Sequence, residues 1–503
     1  MPKYKPVIGL EIHAELNTKT KMFCDSANDA GETKPNTNVC PICLAHPGTL
    51  PVINIEAVRK TVKTGLALGS RVNEYSWFER KNYFYPDLPK GYQISQYEKP
   101  FCEGGVLKLP SGRDIRIRRI HLEEDTGRLV HSSPSSSKDS GRLASLVDFN
   151  RAGVPLMELV TEPDIKNGAE AKEFGEELQL LFRYLDVSDA DMEKGQLRIE
   201  ANISLMPEGS TKLGIKVEIK NLNSFRACER AIDYEIKRQT EILESGGKVA
   251  QETRGWDENK AETFSQREKE ESHDYRYFPE PDLPPVRLDQ AQIEYIKSEL
   301  PELPSERRER FIREYGITPK DGEVFTVQKE LGDYFEKVVS ELKEWLESQG
   351  PVDNNIYQKL TKLSANYLIT ELQKLLAESK SGLAELKISA ENFAELVVLI
   401  HQNKVSSSAA QTILAEMFQT GEDPSQILED KGLAQVSDAE ELKKSAEEVI
   451  AANPQAAADY KKGKKESLKF LVGQLMRATK GKANPQVGEE ILEELLRSLS
   501  TTP

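Results

Sequence analysis

From residue 7 to residue 16, apolar and polar side chains alternate without a break. Ile8, Leu10, Ile12, Ala14 and Leu16 fall on one side of an extended chain, and Glu11, His13 and Glu15 fall on the other. Only a strand can bury one face of such a segment, so the chain must build a sheet with an apolar back. The plan recurs in residues 197–205, where Arg198, Glu200, Asn202 and Ser204 alternate with apolar residues, and in residues 214–220, where Lys216, Glu218 and Lys220 do the same. Residues 115–122 form a further strand, followed directly by Glu123, Glu124 and Asp125.

Taken singly, each strand fits an antiparallel sheet with one solvated face. Taken together, the fronts carry ligand-type residues. Glu158 lies in residues 154–160, where both faces are otherwise apolar, and a carboxylate there is costly unless a cation or donor meets it. Converging carboxylates repel one another; divalent cations relieve this, and oxygen ligands with an imidazole suit Mg²⁺ and substrate phosphates. The chemistry expected is phosphoryl transfer. No Walker A motif, no helix-opening G-x-G-x-x-G and no Asp-Phe-Gly is present. A nucleotide would need another site, and Arg80-Lys81-Asn82-Tyr83-Phe84-Tyr85-Pro86-Asp87 and Lys90-Gly91-Tyr92-Gln93-Ile94-Ser95-Gln96 offer cations, amides and rings. Structural turns with packed tyrosines are the alternative.

The 503 residues allow two to four domains. The run Pro279-Glu280-Pro281-Asp282-Leu283-Pro284-Pro285 ends the strand pattern, and helical spacing follows. A weaker break lies at Val405-Ser406-Ser407-Ser408. The expected fold is α+β: a sheet-rich N-terminal domain (residues 1–290), then two all-helical domains (291–404 and a tail, 405–503). Residues 132–140 are serine-rich and read as a loop. No apolar run approaches the roughly 18 residues of a membrane span, and Glu11 interrupts the first apolar stretch too early for a secretory signal. The net charge of −15 argues against unspecific coating of nucleic acid but leaves room for a local basic patch.

Of five cysteines, three fall in residues 24–43, which fits a reducing, cytoplasmic setting and part of a metal site. Cys24, Cys40 and Cys43 supply three thiolates, whereas a structural zinc takes four ligands. His46 is a candidate fourth, and Ser26 stands where a partner of Cys24 would sit. A metal-free loop is the alternative. Residues 455–486 hold eight Lys/Arg against two Asp/Glu. On a helix over 465–480, Leu468, Leu471, Val472, Leu475 and Ala478 form one stripe, with Lys462, Lys465, Lys469, Arg477, Lys480 and Gly473 on the other side. That face reads as an RNA contact or as a solvated surface.

Several blocks carry a family resemblance: Val7-Ile8-Gly9-Leu10-Glu11-Ile12-His13-Ala14-Glu15-Leu16, the Arg80–Asp87 and Tyr92–Gln96 runs quoted above, His121-Leu122-Glu123-Glu124-Asp125, Val217-Glu218-Ile219-Lys220-Asn221-Leu222-Asn223-Ser224, Asp274-Tyr275-Arg276-Tyr277-Phe278-Pro279-Glu280-Pro281-Asp282 and Lys480-Gly481-Lys482-Ala483-Asn484-Pro485-Gln486. They resemble the B subunits of bacterial-type aspartyl/glutamyl-tRNA amidotransferases, over residues 7 to about 490. The resemblance implies a cradle domain, a helical domain and a tRNA-binding tail. It implies work with an amidase A subunit and a small C subunit. It also implies ATP-dependent amidation of glutamate on tRNA(Gln) or aspartate on tRNA(Asn), through an acyl phosphate that ammonia displaces. It assigns His13, Glu124 and Glu158 to one Mg²⁺ and Glu11, Glu200 and Glu218 to a second, with Glu123 in place of Glu124 if the register shifts at Arg118-Arg119. It makes Glu11, His13, Lys81 and Glu124 the catalytic set and Lys81, Tyr83 and Tyr85 the ATP contacts. Zinc-bearing members carry a cysteine at the place of Ser26; others lack the cysteines. The rival reading is a non-catalytic tRNA-binding scaffold.

Overall fold

The computed structural model describes residues 4–131, 145–268, 275–434, 439–461, 463–479, 483 and 485–498. The serine-rich loop, Lys462 and Lys480 lie outside the described residues. Two compact units divide between Ser305 and Glu306.

The first unit is built on a ten-stranded sheet. Strand Tyr4–Glu15 is central: it pairs antiparallel with Leu197–Pro207 on one side and Pro155–Thr161 on the other. Beyond Leu197–Pro207 come Val217–Leu222, Glu252–Asp257 and Glu262–Glu268; beyond Pro155–Thr161 comes Asp114–Glu124. The apolar back is as the alternation requires: Ile8, Leu10, Ile12, Ala14, Ile199, Ala201 and Ile203 are all buried in one cluster. Helices Gly168–Tyr184 and Phe225–Glu244 contribute Phe174, Leu178, Leu181, Ala231 and Ile232 to the same cluster. Each starts on a side-chain cap, Asn167 onto the Glu170 amide and Ser224 onto the Ala227 amide.

This core reaches beyond residue 290. Helix Gln290–Ser298 opens on a capping box of Asp289 and Gln292 and sends Ile293 and Ile296 into the sheet's cluster. The proline run therefore ends the strands, while the next helical stripe still serves the first core.

In the second unit the described residues are helical. One apolar cluster runs from Phe311 to Leu428 and takes in Val405, Ala409, Ala410 and Ile413, so it continues across the expected break at 404/405. A smaller cluster joins Leu442, Leu468, Leu471, Leu475, Leu492 and Leu496. No helix among the described residues is long and apolar enough to cross a membrane.

Candidate functional site

The front of the sheet gathers the polar residues of five strands. Register places His13 opposite Glu158 and Glu158 opposite His121, so three strands put one row across the sheet. Glu158 Oε2 lies 3.4 Å from His13 Nε2 and 3.1 Å from His121 Nε2. In the neighbouring row Glu11 faces Glu200, and Glu218 is the partner of Asn202. Three overlapping sets result: Glu11, His13 and Glu158; His121, Glu123 and Glu158; Glu11, Glu200 and Glu218. In each, the donor atoms lie within 4.8 Å of one another. The expected members of the second set of ligands thus converge, and so do His13 and Glu158 of the first.

Glu124 does not join them. The ladder between Asp114–Glu124 and Pro155–Thr161 slips after Val160, which pairs with Arg119 while Thr161 pairs with Ile117. Arg118 is the extra residue of a bulge. Counting on from Ile120, the core side takes Leu122 and Glu124, and the front takes His121 and Glu123. Glu124 is buried on the far side, accepting from Lys90 Nζ at 2.6 Å and from the Ile94 amide at 2.9 Å. It lines a separate cavity of about 280 Å³ with Lys90, Tyr92, Cys24, Cys43 and His46.

Lys81 comes from strand Glu79–Asn82, which pairs with Phe278–Pro279, so two blocks roughly 200 positions apart in the chain meet as neighbours. Asn82 Nδ2 ties the joint by donating to the Arg276 carbonyl at 2.8 Å. The Lys81 ammonium sits 5.3 Å from the Tyr275 ring centre and 5.9 Å from that of Tyr83. Burial would push Lys81 down; Glu123, Tyr277 and Glu158 outweigh it and hold the amine well above its ordinary pKa. Tyr83 and Tyr85 do not line the large trough over the carboxylates. Its rings are Tyr97, Tyr275 and Tyr277, with Tyr97 and Tyr277 stacked at 4.6 Å. Tyr83 instead backs Lys81 and bonds Gln93, and Tyr85 is exposed.

The charges of the trough are unbalanced. Glu11 is pushed up to about 7, by burial first and then by Glu158 and Glu200. His13 rises to about 9: burial opposes this, but the hydrogen bond and charge of Glu158 prevail. The buried Nδ1 of His121 has no partner. A set of carboxylates that repel one another, with imidazole nitrogens among them, fits hard divalent cations. The trough has a volume of about 970 Å³, room for a nucleotide and a second substrate group, and Lys81, Lys216, Lys220, Arg118 and Arg119 reach it.

Sequence reasoning left His121, Tyr97, Tyr277 and Lys220 without roles. His121 was findable from its two-residue spacing to Glu123; Tyr97 and Tyr277 were not, because the segments that carry them meet only in the fold.

In the cysteine loop, Cys24, Cys40 and Cys43 bring their sulfurs within 4.8 Å of one another, a group that could hold a metal. His46 is not part of this group. Ser26 Oγ is 3.9 Å from Cys43 Sγ, and buried Lys21 places Nζ 3.8 Å from the same sulfur. Cys24 foremost, then the Cys40 amide and Lys21, pull the Cys43 thiol below its ordinary pKa against the effect of burial. Cys102 and Cys228 are packed in the sheet's core.

On helix Glu466–Ala478, Leu468, Leu471 and Leu475 are buried, while Lys469, Gly473 and Arg477 are exposed, as is Lys465 at the cap. Ala478, expected in the stripe, is exposed at the helix end. A Cβ at Gly473 would meet nothing within 4 Å, so packing within the chain does not require that glycine.

Two family models match the chain: the GatB/GatE catalytic domain over residues 6–294 and the GatB domain over residues 354–496. Among similar curated proteins, the B subunit of the aspartyl/glutamyl-tRNA(Asn/Gln) amidotransferase of Thermotoga maritima is 48% identical over 98% of this chain and 99% of its own. Those of Carboxydothermus hydrogenoformans (46%, covering 99% and 100%) and Persephonella marina (47%, covering 98% and 100%) carry the same name.

Proposed function

Since the chain belongs to the family of aspartyl/glutamyl-tRNA(Asn/Gln) amidotransferase B subunits, we propose that it activates and amidates the side-chain carboxylate of glutamate on tRNA(Gln), of aspartate on tRNA(Asn), or of both. The reaction is that of a carbon–nitrogen ligase using glutamine as nitrogen source. The observation that carries the reading is the convergence of Glu11, His13 and Glu158 with Glu200, Glu218, His121 and Glu123 on one face of the sheet.

In the first step, the γ-phosphoryl of ATP passes to a side-chain carboxylate oxygen, releasing ADP. In the second, ammonia adds to the acyl carbon, phosphate leaves with the C–O bond electrons, and the nitrogen loses a proton as the amide forms. We assign the holding of two Mg²⁺ ions to the three acidic sets, with Glu123 in the role first given to Glu124. Such ions supply charge neutralisation along the phosphates when bound. Lys81, kept protonated by Glu123 and Glu158, offers its ammonium to the moving phosphoryl or the acyl-ester end of the RNA. Tyr275 and Tyr277 wall the trough beside it and limit water, which would hydrolyse an acyl phosphate.

The chain shows no Gly/Ser-rich amidase signature, so ammonia is assigned to an amidase A subunit, with a small C subunit completing a heterotrimer. Five free cysteines suit a reducing compartment, in keeping with a cytoplasmic protein. We assign activation to the N-terminal domain, residues 1–290, and RNA binding to the tail, 405–503.

The test is an amidation assay on both misacylated tRNAs with the assembled complex, ATP, Mg²⁺ and free ammonium. Amide formation with ATP cleavage is expected. A scaffold would give no ATP cleavage stimulated by misacylated tRNA, and that result would overturn the reading.

Lys469 and Arg477 are exposed beside open Gly473, which supports a phosphate contact there. Changing both to Gln should weaken tRNA binding at every sequence alike and lower the slope of log affinity against log salt by about one unit per cation removed. Fluorescence titrations at several salt concentrations measure it; an unaltered slope returns this face to solvent.

The three thiols and Ser26 bear on zinc. With three sulfurs gathered and a hydroxyl in the fourth place, Ser26→Cys should raise bound zinc toward about one equivalent per chain, well above the wild-type content. Atomic emission on the dialysed protein reads it, and equal contents would count against this loop as a zinc site.

A further inference from the structure

The trough continues past the carboxylates. One pleat repeat along the central strand from Glu11, about 7 Å, lies Gly9, and its partner across the ladder is Asn202. Gly9 is not required by packing: a Cβ there would meet Thr161 and Pro163 atoms at 3.7 to 3.8 Å, ordinary contacts. Nor does the backbone require it, since the residue sits in extended strand. The missing side chain leaves the trough floor flat between Val7 and Val160. Beside that floor, the amide oxygen of Asn202 is buried without a hydrogen-bond partner. A folded protein seldom leaves such an acceptor unmet unless a ligand or water meets it.

A flat floor with one open carboxamide edge matches a planar base that offers a donor next to an acceptor. Asparagine pairs in this way with N6 and N7 of adenine; guanine presents two acceptors, O6 and N7, along the same edge. We propose that Asn202 reads the adenine of ATP, with Gly9 as the floor under the ring and the triphosphate directed toward Glu11 and Lys81. This rests on the ATP-dependent amidation proposed above and adds the determinant of base choice.

The experiment uses the assembled complex with free ammonium and measures KM and kcat for ATP and GTP, and KM for misacylated tRNA. Wild type should favour ATP strongly. Asn202→Ala should raise KM for ATP at least about tenfold and shrink the preference for ATP over GTP by a similar factor, with the loss in KM rather than kcat. Gly9→Val, which fills the floor, should raise KM for both nucleotides. Glutaminase activity of each complex and its thermal unfolding report on assembly and folding. Unchanged ATP parameters and base preference in Asn202→Ala, with Gly9→Val equally silent, would overturn the assignment. So would a rise confined to KM for tRNA, which would put the RNA's terminal nucleotide on this floor instead. A wild-type complex that amidates without cleaving ATP would sink the functional reading itself, an outcome distinct from these.

Discussion

Glu158→Gln should lower ATP-dependent amide formation about 10³-fold, an added barrier of about 4 kcal/mol, while the assembled complex still hydrolyses glutamine. Glu158 belongs to two of the three donor sets and lies between two imidazoles, 3.4 Å from His13 and 3.1 Å from His121. The amide keeps the shape and removes the charge. A cation then loses a shared ligand, and both imidazoles lose the carboxylate beside them. The effect should fall on the chemical step, so single-turnover measurement of acyl transfer from pre-bound tRNA is the right readout. Amide yields within a few-fold of wild type would remove Glu158 from the metal shell and leave it a structural partner of His121.

The second large effect is expected at Lys81. Lys81→Met should cost about 10²- to 10³-fold in kcat/KM, the loss typical of a donor aimed at developing charge. The ammonium is half-buried, backed by Tyr275 and Tyr83, and faced by Glu123 and Glu158. Methionine keeps the length and the packing. Without the ammonium the carboxylates repel more strongly, so cation affinity should rise even as turnover falls. Mg²⁺ titration of the variant therefore separates a chemical role from a merely folded one. Turnover near wild type would assign Lys81 to the carboxylates' charge balance alone.

Much of this site could be read in the chain. A period of two fixes which residues share a face whatever the order of strands, so Glu11, His13, Glu200 and Glu218 could be put on polar fronts from alternation alone, and the family resemblance singled them out there as ligands. Glu158 stood out because a carboxylate in an apolar run must be compensated. Glu124 was misplaced because parity holds only within an unbroken ladder. The doublet Arg118-Arg119 hinted at a bulge, but hydrogen bonding with Pro155–Thr161 decides which side gains the extra residue. The ring assignments failed for another reason. Tyr83 and Tyr85 lie next to Lys81 in the chain, whereas Tyr97 and Tyr277 reach the trough through pairing between segments far apart in sequence, which no local pattern encodes. The domain limits blurred where helix Gln290–Ser298 returns its apolar stripe to the sheet: helical periodicity tells which face is buried, not against which core.

The bulge at Arg118 has one more implication. Glu123 and Glu124 are successive residues pointing into different chambers, one toward the trough and the other toward Lys90 beside the cysteine loop. A single peptide plane joins their two α-carbons. Parity alone therefore sends one carboxylate to the front and the other to the Lys90 ammonium, and a one-residue slip of this ladder would exchange the two.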